Sequence, residues 1–431
     1  MSDFAGENGA PKTESKVDFA VIGAGAAGLM AAIAAGNAGA SVRLLDGAKK
    51  IGAKILVSGG SRCNVTNEHV VPARYHGEGA APFVSRVLRS FSPDDTHRFF
   101  AQSGVELKLE PTGKFFPVTD SSRTVLNALL AQVERAGAVL SVQTPVLSLE
   151  KLDGFWRLET PTETIWARAV LVATGGLALP KSGSDGSGFR LAQGFGHSVV
   201  KTTPALTPLL CDAPFGAQFS GQTLPAKLRL FRRNATQLNE KLAAYDGSFL
   251  WTHTGYSGPV ALNLSRHVAR ERWKWPHASV FASFLPHVDD GEENAWWQSF
   301  VRENAKRGTF NALSAFLPNA LAQTLAQRAN CDHLTVGRLE KRHIEALKNA
   351  LFYLPLDVRE VAPYEKAETT AGGIALEEIA PATMMSRLHK GLFFAGEVCD
   401  VDGWLGGYNF QWAWSSGTVA GRAAAKFLKE N

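Results

Sequence analysis

Gly23, Gly25 and Gly28 form a G-x-G-x-x-G hexapeptide, and an acid, Asp46, follows 18 residues after the third glycine. At this spacing Gly23 permits a tight turn. Gly25, with Ala26 and Ala27 behind it, lets a diphosphate approach a helix N-terminus, and Gly28 lets that helix pack against a strand. Asp46 can accept hydrogen bonds from ribose hydroxyls. The hexapeptide alone is weak evidence, because glycine-rich sixes arise by chance. Its context is the informative feature: an apolar strand over 17–22 precedes it, an Ala-rich helix ending near Gly39 follows, and a second strand over 42–45 stops at Asp46.

Two more glycine turns lie far downstream. One is Ala173-Thr174-Gly175-Gly176 after a buried strand. The other is Ala395-Gly396-Glu397 followed by Gly406-Gly407-Tyr408-Asn409. A single NAD-binding unit has no use for these turns, whereas a flavin dinucleotide does. Glu397 can accept from a ribityl hydroxyl. A helix starting near Gly407 aims backbone N–H groups at the pyrimidine side of the ring, where negative charge develops on reduction. Tyr408, Asn409 and Gln411 stand at the start of that helix.

The elements that must position these residues are legible in outline. The periodicity predicts helices over 92–104, 121–137, 319–329, 336–351 and 412–428, with strands over 105–109, 170–173 and 227–232. Four short strands, over 139–142, 146–149, 156–159 and 164–167, suggest a small antiparallel element. The stretch 52–67 is glycine-rich and irregular. Residues 1–16 are polar and aperiodic and read as a loose tail. After about Val200 the composition changes, and it becomes glycine-rich again after Pro363, so a different domain is inserted between two segments of a dinucleotide-binding domain.

Composition excludes several classes. Hydrophobic residues are 45% and charged residues 20% of 431, the balance of a globular protein with a core rather than a disordered or fibrous chain. The 41 glycines show no collagen period. Cys63, Cys211, Cys331 and Cys399 are far apart with no C-x-x-C, so neither a disulfide framework nor a metal centre is expected, and free thiols in a reducing cytoplasm fit. Net charge is 45 − 40 = +5, too diffuse to point to nucleic acid. The apolar stretch 19–40 is built from Ala and Gly around a strand, a turn and a helix, not a membrane span.

The chain resembles the HI0933-like (BaiN-like) flavoproteins of the two-dinucleotide-binding-domain superfamily. The resemblance rests on VIGAGAAGLMAA (21–32), GAKILVSGGSRCNVTN (52–67), TGKFFPVTDSS (112–122), LVATGG and PKSGSDGSGFRLAQGFGH within 171–197, WTHTGYSGP (251–259), TTAGGI (369–374) and GLFFAGEVCDVDGWLGGYNFQWAWSSG (391–417). It implies an α/β fold: a glutathione-reductase-like FAD-binding Rossmann domain with an inserted β-barrel plus helical domain. The expected boundaries are a disordered tail (1–16), a first segment of the FAD-binding domain (17–200), the β-rich insert (201–289), its helical portion (290–351), a return strand (352–362) and a second segment of the FAD-binding domain (363–431). Family members usually carry Glu where Asp46 stands and Gly-Gly-Gly in place of the run Ser58-Gly59-Gly60-Ser61, which suggests a subfamily.

The resemblance also implies residues. Lys54, Ser58, Gly59, Gly60, Arg62, Cys63 and Asn64 would lie along the diphosphate and flavin, and Thr370, Gly372 and Gly373 would form another flavin-side turn. Trp251–Pro259 would lie over the ring, making His253 a candidate proton donor or acceptor with Tyr256 or Ser257 assisting. Cys63 is either a redox thiol or a packing residue, and no second cysteine stands near it to form a catalytic disulfide. The implied activity is that of a cytoplasmic, FAD-dependent oxidoreductase acting on a small molecule, with NAD(P)H as a possible electron donor. No separate NAD(P)H domain is visible. A flavin-dependent RNA-modifying enzyme and an FAD-holding sensor are the alternatives. The five tryptophans between Trp251 and Trp297 and the three at Trp404, Trp412 and Trp414 read as core rather than as an aromatic-lined pocket. The basic strand over 227–233 reads as a solvated face, with a path for an anionic substrate as its alternative.

Overall fold

A computed structural model describes residues 13–233, 238–274 and 278–431. The chain divides into two compact units: residues up to 202 together with 369–431, and residues 203–368.

The first unit is built on a nine-stranded sheet. Its parallel centre runs in the order Leu392–Phe394, Glu163–Val172, Thr13–Ile22, Val42–Leu45 and Val139–Ser141. Their central stretches, Phe19–Ile22, Ala169–Val172 and Leu392–Phe394, are continuous apolar runs in which every residue is buried, as strands covered on both faces must be. Two short antiparallel strands, Ile379–Ala380 and Met385–Ser386, extend one edge.

Three expectations from the sequence are corrected by this sheet. The first strand begins at Thr13, not Val17, because Thr13–Lys16 pair in parallel with Glu163–Trp166 and so have a ladder despite their polarity. The residues expected as two separate strands, over 164–167 and 170–173, belong to one ten-residue strand, Glu163–Val172. Its first half pairs with Phe155–Glu159 and its second half with Leu392–Phe394. Val139–Ser141 lies beside Val42–Leu45 in the parallel sheet rather than in the antiparallel element.

The helix Ala26–Asn37 crosses the long terminal helix Tyr408–Glu430 at small residues. A Cβ on Gly417 would stand 2.9 Å from the Ala27 carbonyl carbon, and one on Gly421 would stand 2.9 Å from Ala31 Cα. Only glycine allows backbones this close, so this crossing fixes the terminal helix against the nucleotide-type loop. Pro93–Gln102 starts as its sequence suggests, with Ser92 and Asp95 forming a reciprocal capping box.

The second unit holds a seven-stranded antiparallel sheet. Its order is Leu354–Leu356, Ser279–Ser283, Thr223–Arg233, Leu238–Thr252, Gly255–Ser257, Leu209–Leu210, Glu360–Val361. Among the described residues the two outer strands do not pair with each other, so the ladder is not closed into a barrel. The helices Glu293–Asn304, Thr309–Leu313, Asn319–Arg328 and Lys341–Phe352 complete the unit. The residues expected as one helix over 336–351 form a 3-10 turn, Val336–Arg338, and then a new helix with Glu340 at its N-cap.

The basic strand is not a solvated face. Arg229 is 1% exposed, its Nε donates to Asp290 Oδ1 at 3.0 Å, and its Nη1 donates to the Phe352 carbonyl at 3.1 Å. Lys227 is also buried. The strand pairs on both sides, which covers both of its edges. Of the tryptophans, Trp156, Trp251, Trp297, Trp412 and Trp414 are buried core; Trp275 and the side chain of Trp273 lie outside the described residues.

Candidate functional site

The parallel register brings four strand ends into one row. Ile22 is level with Leu45 on one side and with Val172 on the other, and Val172 is level with Phe394. The residues that follow these ends are Gly23, Asp46, Ala173 and Ala395, so all the separate glycine turns meet at the carboxyl edge of one sheet. That edge is where open α/β sheets bind ligands.

At the first turn, Gly23 has φ +104°, and a Cβ there would lie 2.5 Å from the Ala173 carbonyl oxygen. A Cβ on Gly28 would collide with the Gly23 carbonyl oxygen. Gly25 differs, since its Cβ position meets nothing within 4 Å. It caps the helix Ala26–Asn37, which has no side-chain cap and no acid in its first turn. The free N–H groups of that turn therefore face open space, a favourable place for an anion. Asp46 braces the loop by accepting from Ala24 N–H (2.7 Å) through one oxygen and from Ala48 N–H (2.8 Å) through the other. Each oxygen keeps a lone pair for a ligand hydroxyl.

Next along the edge, Gly396 backs onto Ala27, since a Cβ there would be 2.9 Å from the Ala27 Cβ. Its neighbour Glu397 accepts from Thr370 N–H at 3.0 Å and pairs with Lys54 Nζ at 2.6 Å. Thr370 Oγ1 accepts from the N–H groups of Leu177 (2.8 Å) and Ala178 (3.0 Å), tying the Thr174–Gly176 turn to the same cluster. Gly176 has no room for a side chain, because a Cβ would be 2.9 Å from Glu397 Oε1. The hydroxyl of Thr174 is buried without a hydrogen-bond partner among the described residues. Thr370, Gly372 and Gly373 do not form a turn. They lie on a buried strand, Thr369–Ile374, where the two glycines press against the Lys201–Thr202 and Val398–Cys399 backbones.

The 52–67 stretch is partly helical. Ala53–Ser61 is a helix interrupted across Ser58–Gly60, with Gly59, Gly60, Ser61 and Cys63 all in left-handed conformation. Ser61 and Cys63, the two that are not glycine, carry backbone strain of the kind found at ligand loops. Gly60 is open on its Cβ side, while Gly59 packs against Phe116. Ser58 Oγ donates to the Ile55 carbonyl at 3.0 Å. The Arg62 guanidinium is held by Glu110 at 2.6 Å, reaches Asp120 at 3.5 Å and stacks on the Phe116 ring at 4.0 Å. Cys63 is fully buried, and burial pushes its thiol up to about 12, which removes the thiolate that redox chemistry requires. Cys399 is likewise buried, with its thiol raised by desolvation.

The terminal helix begins at Gly407, in left-handed conformation and with no side-chain cap. The side chains expected to meet a flavin here are engaged internally. Tyr408 donates to the His69 carbonyl at 3.0 Å and accepts from Arg74. Asn409 holds both backbone groups of Gly403, and Gln411 is bonded to Thr66 and Ser415. Asn64 lies against the same turn: oriented so that both amide ends are satisfied, it donates to the Thr66 carbonyl (3.0 Å) and accepts from Gly407 N–H (3.2 Å). What this end offers a ligand is backbone N–H together with one residue that the sequence reading passed over, Lys114. Its side chain lies along Gly406, with Cε 3.2 Å from where a Cβ would be. The strand pairing of TGKFFP with Thr66–Asn67 puts it there, and nothing in its local sequence marks it.

In the second unit, His253 is exposed on the tip of the hairpin that joins Leu238–Thr252 to Gly255–Ser257. Tyr256 is fully buried, with its hydroxyl 3.5 Å from the Phe215 carbonyl oxygen and its acidity weakened by desolvation. Among the described residues no cluster of His, Cys, Asp or Glu could hold a metal, and no helix is long and apolar enough to cross a membrane.

The donor set fits a dinucleotide: an uncapped helix N-terminus behind an open glycine, acids on either side of it, and a second uncapped N-terminus beyond. A ribosomal RNA dihydrouridine synthase of Escherichia coli is 33% identical over 408 residues, covering 93% of this chain and 96% of that protein. A 3-dehydro-bile acid delta(4,6)-reductase of Clostridium scindens is 32% identical over 410 residues, covering 94% and 98%. Among solved structures, Escherichia coli quinol fumarate reductase FrdA is similar in fold alone, at 18% identity and a TM-score of 0.50 over 97% of this chain and 71% of that one. The sequence profile of the HI0933-like protein Rossmann domain matches residues 17–423, and the chain belongs to that family.

Proposed function

We propose that this protein is a reductase that uses non-covalent FAD to move a hydride from a nicotinamide nucleotide, or from a small organic substrate, to an acceptor. The observation that carries the reading is the single row of strand ends at Ile22, Leu45, Val172 and Phe394, with a ligand-ready glycine or acid just beyond each. Asp46 would hold the adenosine ribose, the Gly23–Gly28 loop the diphosphate, Glu397 a ribityl hydroxyl, and the Gly406–Gly407 end the pyrimidine edge. FAD supplies a ring that accepts two electrons with a proton and gives them back. His253, an exposed imidazole with no hydrogen bond or ion pair among the described residues, is proposed to hold the proton that completes the addition to the acceptor.

The names of two relatives, a dihydrouridine synthase and a delta(4,6)-reductase, have in common the saturation of a carbon–carbon double bond. An electron-poor double bond in a ring is therefore the proposed acceptor. A second reading makes that ring a base in RNA. It is supported by ribosomal RNA dihydrouridine synthases from Escherichia coli and Haemophilus influenzae, at 33% and 32% identity over more than nine-tenths of both chains.

The test is anaerobic mixing of the FAD-loaded protein with excess NADH or NADPH, followed by a uridine-containing ribosomal RNA transcript or a steroid dienone. Bleaching of the flavin by a nucleotide and its recovery with one acceptor supports the reductase and chooses its substrate class. RNA turnover that collapses with modest added salt favours the second reading. A flavin that stays oxidised with both nucleotides removes NAD(P)H as donor, and no turnover with any acceptor leaves a sensor.

A further inference from the structure

The two uncapped helices are locked to each other at a known point. Gly417 touches Ala27, in the first turn of the helix Ala26–Asn37, and Tyr408 begins the terminal helix nine residues earlier. At about 1.5 Å per residue the two N-termini stand roughly 14 Å apart. Gly396 packs on Ala27 at the crossing, donates its N–H to Ser416 Oγ at 3.0 Å and accepts from Trp412 Nε1 at 2.9 Å, so Glu397 starts from the turn of the terminal helix that lies between the two N-termini. If the first N-terminus takes a diphosphate, this spacing leaves room for a five-carbon polyol chain beside Glu397, and the ring edge then falls at Gly406–Gly407.

That end carries a positive side chain. Lys114 pairs with Asn67 across two strands, and Asn67 Nδ2 in turn donates to the Gly406 carbonyl at 2.8 Å. The lysine stem runs over Gly406, with Cγ at 3.6 Å and Cε at 3.2 Å from the Cβ position that glycine leaves empty. Lys114 is half-buried and forms no ion pair among the described residues, whereas Lys54, further along the edge, is paired with Glu397. Among the described residues no carboxylate pairs with the charge at this end.

We propose that Lys114 is a positioning residue that holds a positive charge against the pyrimidine edge of the flavin and stabilises the negative charge that edge carries after reduction. Uptake of a hydride, two electrons and one proton, from the donor named above leaves the ring one unit more negative, and the lysine and the helix N-terminus both face that charge. This inference rests on the FAD reading under Proposed function.

The test loads wild type, K114M and K114R with FAD. It measures the affinity of the bound flavin for sulfite, an anion that adds to the ring, and the two-electron midpoint potential by dye equilibration. K114M is expected to bind sulfite at least tenfold more weakly, and a tenfold change corresponds to about 30 mV of lowered midpoint. K114R, which keeps the charge, stays within about threefold of wild type. K114M with wild-type sulfite affinity and midpoint overturns the proposal. So does a folded K114M that takes up no FAD, because the lysine would then hold the cofactor rather than the charge of its reduced form. If K114M does not fold, K114Q is read in the same way. A wild type that binds no FAD refutes the underlying reading instead, and the loading step reveals that first.

Discussion

Substituting Gly25 by alanine separates binding from folding at a single atom. Gly25 has φ −80° and ψ −171°, which alanine adopts without strain, and its Cβ would meet nothing within 4 Å. Restricting the unfolded chain contributes about 0.4–1 kcal/mol of stability, and alanine is a poorer N-cap than glycine by a similar amount. The two effects offset, so the apoprotein should melt within about 2–4 °C of wild type. The added methyl, however, occupies the space from which a diphosphate would reach the helix N–H groups. Losing one charge-assisted hydrogen bond costs about 1.5–3 kcal/mol, roughly a 10- to 150-fold rise in the FAD dissociation constant. Titration of apoprotein with FAD, followed by flavin fluorescence, reads the second quantity, and a thermal melt of the apoprotein reads the first. Gly28→Ala is the contrast, since its Cβ collides with the Gly23 carbonyl oxygen, and it should lose stability and binding together. Wild-type FAD affinity in Gly25→Ala would show that no diphosphate approaches the helix over Gly25, and a melt lowered as far as that of Gly28→Ala would show that the space beside Gly25 is not open.

Three further outcomes are expected. His253→Gln should lower turnover with the true acceptor by about 10²–10⁴-fold while flavin reduction by the donor keeps its rate; equal loss in both half-reactions would remove the histidine from proton transfer. Cys63→Ala should leave flavin reduction within about twofold of wild type, because the thiol is buried and protonated; loss of reduction with FAD still bound would restore a redox role. His197, buried between Glu378 (3.0 Å) and Ser386 (2.8 Å), is held below its ordinary value of 6.5, chiefly by desolvation. The unfolded chain then binds more protons than the folded one, so this contribution is present above pH 6.5 and is lost as pH falls from there through the lowered value of the folded state. Burial alone would raise Glu378, but the hydrogen bonds from Ser198 and His197 outweigh it, and its lowered value adds a loss in the same direction at more acid pH. Melting temperatures taken from about pH 8 to 5 should fall for wild type and flatten in His197→Asn; parallel curves would show that the histidine does not titrate with unfolding.

The elements that the sequence made legible are those with a local cause. Ser92 and Asp95 announce a helix start by their own hydrogen bonds, and Gly23–Gly28 announces a turn because a Cβ would strike nearby backbone. What escaped the reading depends on contacts distant in sequence. Val139–Ser141 looks like any short strand, and only its register with Arg43–Leu45 places it in the parallel sheet. Thr13–Lys16 are polar and become a strand because Glu163–Trp166 lie beside them. Arg229 reads as surface until Asp290, 61 residues away, supplies its counter-charge. At the candidate site the backbone features were readable, but the allocation of side chains was not. Tyr408, Asn409 and Gln411 spend their polar atoms on His69, Gly403, Thr66 and Ser415, and Tyr256 is sealed in the core. Lys114 carries no signal in its own segment, since its place over Gly406 comes from strand pairing and a bond through Asn67.

Whether the carboxyl edge of the parallel sheet holds one extended FAD is read by equilibrium titration of the apoprotein with FAD and, in parallel, with FMN. The predicted result is one FAD per chain and much weaker binding of FMN, which lacks the adenosine half that Asp46 and the Gly23–Gly28 loop are positioned to hold. No FAD uptake, or equal affinity for the two flavins, would contradict it.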